Sequence, residues 1–98
     1  MRTSHVYILT NKNHTLLYVG VTSDLRKRIG QHKTKFYKGF TSRYNCDHLV
    51  YHQSFEDIQD AIQYEKKLKD GNRANKEKLI NQMNPEWKDL AAKWEGIS

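Results

Sequence analysis

Two short apolar runs, "VYIL" at residues 6–9 and "LLYV" at 16–19, stand near the start of the chain with the polar "NKNHT" close between them. Side chains alternate in face along an extended backbone, so "HVYILT" and "LLYVGV" predict two β-strands joined as a hairpin. The alternation sets Tyr7 apart from Val6 and Ile8, and Tyr18 apart from Leu17 and Val19. Both tyrosines can therefore share one face of the hairpin. The period then changes. "SDLRKRIGQHKTKF" predicts a helix capped by Ser23 or Asp24, with Leu25, Ile29 and Phe36 as its inner stripe. A glycine-containing basic loop follows, and "DHLVYHQ" predicts the third strand. "SFEDIQDAIQYEKKLKDG" predicts a second helix, with Ser54 and Asp57 at capping-box spacing and Gly71 as its stop. "NRANKEKLINQMN" predicts a third helix. "NPEWKDLAAKW" predicts a fourth, with Asn84 as N-cap, Pro85 at its first position, and Trp87 and Trp94 on its inner face.

The predicted order β-β-α-β-α-α-α implies an α+β fold, a three-stranded mixed or antiparallel sheet flanked by helices. At 98 residues there is room for one core, so residues 1–98 are expected to form a single domain. The one cysteine, Cys46, excludes an intrachain disulfide framework and suits a reducing, cytoplasmic compartment. The longest unbroken apolar runs are four residues, too short for a signal segment or a membrane span.

Charge narrows the partner. Seventeen Lys and Arg against 11 Asp and Glu give a formal +6, which favours a polyanion. No acidic residue falls within residues 25–46, which hold Arg26, Lys27, Arg28, Lys33, Lys35, Lys38 and Arg43. Phe36, Tyr37, Phe40 and Tyr44 interleave with them and offer flat faces for stacking on bases. The expected partner is DNA or RNA. A membrane surface is disfavoured, because the stretch lacks a long amphipathic apolar face.

Three polar residues sit in or beside apolar seams. Glu65 interrupts the stripe Ile58, Ala61, Ile62, Leu68 of the second helix. Arg28 and His32 lie i, i+4 apart beside the inner stripe of the first. Each alone reads as an ordinary structural residue. Together, beside a face carrying Tyr7 and Tyr18, they suit phosphodiester hydrolysis. Glu supplies oxygen to a divalent cation such as Mg²⁺ or Mn²⁺, and Arg holds a phosphate oxygen and stabilises the transition state. His or a tyrosinate takes the proton of an attacking water. Cys46, His48 and His52 do not read as a zinc set, since four residues of strand span about 13 Å.

"HVYIL" at 5–9, "YVG" at 18–20 and "LRKRIGQH", with "GFTSRY", "LVYH", "YEKKLK" and "LINQMNPEWKDL" further on, resemble the GIY-YIG nuclease superfamily. The resemblance covers nearly the whole chain and is strongest to small single-domain bacterial members. It implies that Tyr7 and Tyr18 surround the nucleophilic water and scissile phosphate and that Arg28 contacts phosphate. His32 matches a position that is His or Tyr among members, Glu65 matches the ligand of a single catalytic metal, and Gly20 matches the glycine ending the second strand. Val21 stands where many excision-repair members carry lysine, and Tyr64 where the small bacterial group usually has arginine. The implied function is a metal-dependent DNA endonuclease, structure-directed or of low sequence specificity, acting in repair or recombination. The alternative is a nucleic-acid-binding domain that keeps the nuclease fold without catalysis.

Overall fold

The computed structural model describes residues 3–94. Strands β1 (Ser4–Thr10) and β2 (Leu17–Thr22) form the hairpin, and β3 (His48–Phe55) joins the other side of β1. The sheet order is β2-β1-β3, with both pairings antiparallel. Helix α1 (Leu25–Lys33) and the short α2 (Phe40–Arg43) lie between β2 and β3, and α3 (Ile58–Asp70) and α4 (Arg73–Met83) follow β3. Among the described residues, no helix is long and apolar enough to cross a membrane.

The central strand is covered on both faces. Val6 and Ile8 pack with Val19, Val50, Ala61, Leu68 and Ile80, which places α3 and α4 on one side. Tyr7 and Leu9 pack with Leu25, Ile29, Cys46, Leu49 and Ala91, which places α1 and the C-terminal segment on the other. The pairing shifts between Ile8 and Leu9, whose partners are Tyr51 and Leu49, so Val50 is the extra residue of a bulge.

Three local expectations are corrected. Helix α1 stops at Lys33, because Lys35 adopts a left-handed φ of 57°. The amide of Phe36 bonds the Gln31 carbonyl and that of Lys35 bonds the His32 carbonyl, a Schellman stop formed without glycine. Phe36 is thereby thrown outward, 66% exposed, and is no part of an inner stripe. The cap of α3 is Asp57, which accepts the amide of Gln59, while Ser54 stays in β3 and bonds His5.

The third correction is the fourth predicted helix, which does not form. Asn84 is the C-cap of α4, and its side chain bonds the carbonyls of Val50 and Lys88 and the amide of Lys88. Trp87 takes a left-handed φ of 55°, which ends helical propagation. Asp89 then accepts the amides of Leu49 and Ala91 and pairs with Lys33. These tertiary bonds outcompete the local helical pattern, and the two tryptophans pack on opposite faces of the sheet. A helix arises instead in the basic loop, so the observed order is β-β-α-α-β-α-α.

Candidate active site

The hairpin register sets the first contact. Tyr7 lies opposite Gly20, and Tyr18 opposite Leu9, so both phenols project on the α1 face. Their ring centroids are 6.4 Å apart. A side-chain carbon at position 20 would come within 2.4 Å of Cζ and Oη of Tyr7, so the tyrosine lies across the bare glycine. Asp24 caps α1 by accepting the amide of Lys27 and fixes where the helix starts over this face. Leu25 and Ile29 then bury against the sheet, and Arg28 and His32 are delivered beside the phenols.

His32 is buried and uses both ring nitrogens. Nε2 lies 2.9 Å from Oη of Tyr7, and Nδ1 lies 3.0 Å from Oγ1 of Thr41. Its ring also meets that of Tyr18 edge-on at 5.7 Å. Burial, and next the charge of Arg28, lower its pKa to about 4, so the imidazole is neutral at pH 7. Burial raises the pKa of Tyr7, and the charges of Tyr18 and Glu65 add to the rise. The charge of Arg28 and its hydrogen bond to the Tyr7 side chain oppose it without cancelling it. Tyr7 is therefore a neutral phenol, and it has no exposed surface.

Above this layer a cleft of about 410 Å³ is lined by Tyr18, Arg28, His32, Tyr37, Phe40 and Thr41. The Arg28 guanidinium stands 5.6 Å from the Tyr37 ring centroid, and Phe40 stacks on Tyr18 at 6.2 Å. Lys38, Phe40, Arg43 and Tyr44 line a second groove alongside. Tyr37 was among the aromatics expected to stack on bases, whereas Thr41 is a site residue that the sequence did not single out. Thr41 had no signal beyond its place in "GFTSRY".

Glu65 arrives from the other layer. It belongs to α3, on the face of the sheet opposite α1, and is not among the residues lining the cleft. Its side chain is 13% exposed and pairs with Lys69 at 3.2 Å, yet its charge is felt at Tyr7. The direct cluster is thus Tyr7, Tyr18, Arg28 and His32, with Glu65 reaching it electrostatically. Among the described residues no three His, Cys, Asp or Glu side chains group to enclose an ion. A lone, largely buried carboxylate whose partner is a half-exposed lysine does fit a divalent cation that keeps most of its waters.

The basic stretch divides by task. Lys33 pairs with Asp89 at 2.5 Å and bonds the Asp47 carbonyl, so its ammonium is engaged within the fold. Arg26 stands over the Trp94 ring at 4.8 Å, on a different groove from the cleft. Lys35 bonds Asn45. Lys27 lines a depression with Arg28 and Tyr37, and Lys38 and Arg43 flank the aromatic groove. Tyr64 shares a hydrogen bond with Tyr51 at 2.9 Å and packs on Phe55, so the departure from arginine there serves the core.

A model of the GIY-YIG catalytic domain matches residues 3–78, and the chain belongs to that family. Its relatives include UPF0213 proteins from several organisms. One from Bacillus velezensis is 32% identical over 79 residues, covering 81% of this chain and 80% of its own. One from Natronomonas pharaonis is 30% identical over 76 residues, covering 78% of this chain and 88% of its own. The solution structure of a UPF0213 protein from Bacillus halodurans superposes with a TM-score of 0.57 at 25% identity. That match spans 93% of this chain and 97% of the other.

Proposed function

We propose that this protein is a metal-dependent DNA endonuclease that cuts near unpaired nucleotides. The observation that carries the reading is the contact cluster of Tyr7, Tyr18, Arg28 and His32 at the floor of a cleft bordered by cations and exposed rings. Arg28 receives a phosphate oxygen and stabilises the charge that grows there as water adds to phosphorus and the bond to the departing sugar oxygen opens. Tyr7 is sealed from solvent, and both nitrogens of His32 are engaged, so neither meets the incoming water directly. Tyr18 is the residue left at the cleft; as tyrosinate it takes the water's proton, and the departing sugar oxygen takes its proton from solvent. Tyr7 and His32 hold Arg28 and Tyr18 in place from below. Glu65 would hold a Mg²⁺ or Mn²⁺ ion, which when bound supplies positive charge against the developing oxyanion.

Phe36, Tyr37, Phe40 and Tyr44 are all exposed, and rings of this kind stack on bases that have left the duplex. Lys27, Lys38 and Arg43 offer phosphate contacts and no base-reading helix accompanies them, so specificity is directed by structure more than by sequence. Substrates of this kind arise in repair and recombination. The test is cleavage of duplex, nicked, flapped and single-stranded DNA by the purified chain with Mg²⁺ or Mn²⁺. Cutting that chelator abolishes, and that Tyr18→Phe and Arg28→Ala each reduce by about 100-fold or more, supports the reading. No cutting of any substrate would overturn it. A second reading, binding without catalysis, is favoured by one observation. The Glu65 carboxylate is held by Lys69 and does not line the cleft.

A further inference from the structure

We propose that Thr41 is a positioning residue that sets the tautomer of His32, and through it the direction of the Tyr7 hydroxyl. The proposal rests on the nuclease reading only for its effect on rate. The chain of contacts is Thr41 Oγ1 to His32 Nδ1 at 3.0 Å and His32 Nε2 to Tyr7 Oη at 2.9 Å. A neutral imidazole donates from one nitrogen and accepts at the other, so the two contacts cannot be chosen independently. The surroundings of Tyr7 show which sense the chain of contacts takes. Tyr7 is fully buried, its Oη has His32 Nε2 as hydrogen-bond partner, and the neighbouring Arg28 has only donors to offer. The Tyr7 O–H therefore needs His32 Nε2 as acceptor, because a buried hydroxyl proton without one carries a full desolvation penalty. The imidazole proton then sits on Nδ1 and is donated to Thr41 Oγ1. Thr41 is only 8% exposed but lines the cleft, and its own hydroxyl proton turns toward that side, away from the imidazole.

With the Tyr7 proton directed at His32, the lone pairs of Oη are left for Arg28, which holds the guanidinium over the cleft floor. Reversing the tautomer would aim an imidazole N–H at Oη, set it in competition with Arg28 for those lone pairs, and leave the Tyr7 proton unplaced. Thr41 also belongs to the same four-residue helix as the exposed Phe40 and borders Tyr44. The residue that orients the buried histidine thus sits on the segment offered to nucleic acid.

The experiment is imidazole long-range ¹H–¹⁵N correlation on the full, ¹⁵N-labelled chain at pH 7, for wild type, Thr41→Val and Thr41→Ser. Wild type and Thr41→Ser should carry the proton on Nδ1. Thr41→Val keeps the shape but removes the acceptor, and it should shift His32 toward the Nε2–H form. In the cleavage assay, kcat of Thr41→Val should fall about tenfold with KM little changed, and Thr41→Ser should stay near wild type. A wild type protonated on Nε2, or a folded Thr41→Val that keeps the wild-type tautomer, would overturn the proposal. A chain that shows the expected tautomers but never cuts DNA upholds the role of Thr41 and defeats the nuclease reading instead.

Discussion

Tyr7 and Gly20 face each other across β1 and β2, and the tyrosine ring fills the space that a side chain at position 20 would occupy. With Cζ and Oη at 2.4 Å from the would-be Cβ, Gly20→Ala has to displace the ring and with it the Tyr7 Oη contact to His32. We expect a loss of about 1–3 kcal/mol in urea unfolding, the usual cost of overpacking, together with loss of cleavage. Trimming the ring in Tyr7→Leu/Gly20→Ala should recover part of the stability and none of the activity. Additive losses in that double-mutant cycle would show that the two residues are not coupled.

Stability should depend on His32 between pH 6.5 and 4. Its folded pKa, about 4, lies below its unfolded value, so the unfolded chain binds more protons throughout that window. The contribution is complete above pH 6.5 and is lost as pH falls toward 4, about 3 kcal/mol in all. His52, lowered by burial and next by the charge of His5, acts in the same direction. Asp89 acts below the window. Burial pushes its carboxyl up, but the Lys33 hydrogen bond, the amides of Ala91 and Leu49 and the Lys33 charge bring the net pKa below its usual value. Its stabilisation is therefore lost only in stronger acid. Urea titrations at half-unit pH steps should give a clear slope in wild type and a flatter one in His32→Gln.

The rate should carry no histidine limb near neutrality. His32 is neutral from pH 8 down to about 5, so it does not titrate where free imidazole would. A profile of kcat against pH should show no inflection near 6.5 that His32→Gln removes. Finding one would mean that His32 is solvated in the working enzyme.

The lysines should divide into two kinds under salt. Lys33→Met breaks the pair with Asp89, whose side chains are 23% and 15% exposed, and should cost about 2–3 kcal/mol of stability. It should leave the slope of log K for DNA against log salt unchanged. Lys38→Met/Arg43→Met should do the reverse, flattening the slope by about two units with little change in melting temperature. A slope unchanged in the second variant would remove that groove from the interface.

Glu65→Gln keeps the shape of the side chain and removes the charge that would hold a cation. Cleavage should fall to background while DNA affinity holds or rises, and Mn²⁺ should raise the melting temperature of wild type only. An equally active variant would strip Glu65 of the role of metal ligand.

The strands and three of the helices were legible because burial there follows a simple period. β1 carries the apolar run Val6, Tyr7, Ile8 and Leu9, buried on both faces, and Ala61 and Leu68 mark the inner side of α3. The two tyrosines, Arg28 and His32 were legible as polar residues in apolar surroundings. What escaped depends on contacts distant in sequence. Lys33 resembles its basic neighbours until Asp89 arrives, 56 residues later. The final segment has a helical pattern, but Asn84, Trp87 and Asp89 commit its backbone elsewhere. Lys35 takes a left-handed conformation that composition assigns to glycine, so the outward turn of Phe36 carried no local mark.

The Asp89 anchor also bears on the order in which the molecule is completed. On a ribosome the first strands and α1 emerge long before residue 89, and domains generally fold as units. Until Asp89 appears, the Lys33 ammonium and the Leu49 amide lack the partner they have in the finished fold, and Ala91 is missing from the apolar layer beneath α1. The wall that carries Arg28 and His32 is therefore closed by residues synthesised after all three strands. A nascent chain thus holds the residues of the hairpin and its two tyrosines well before it holds those that close the wall over them.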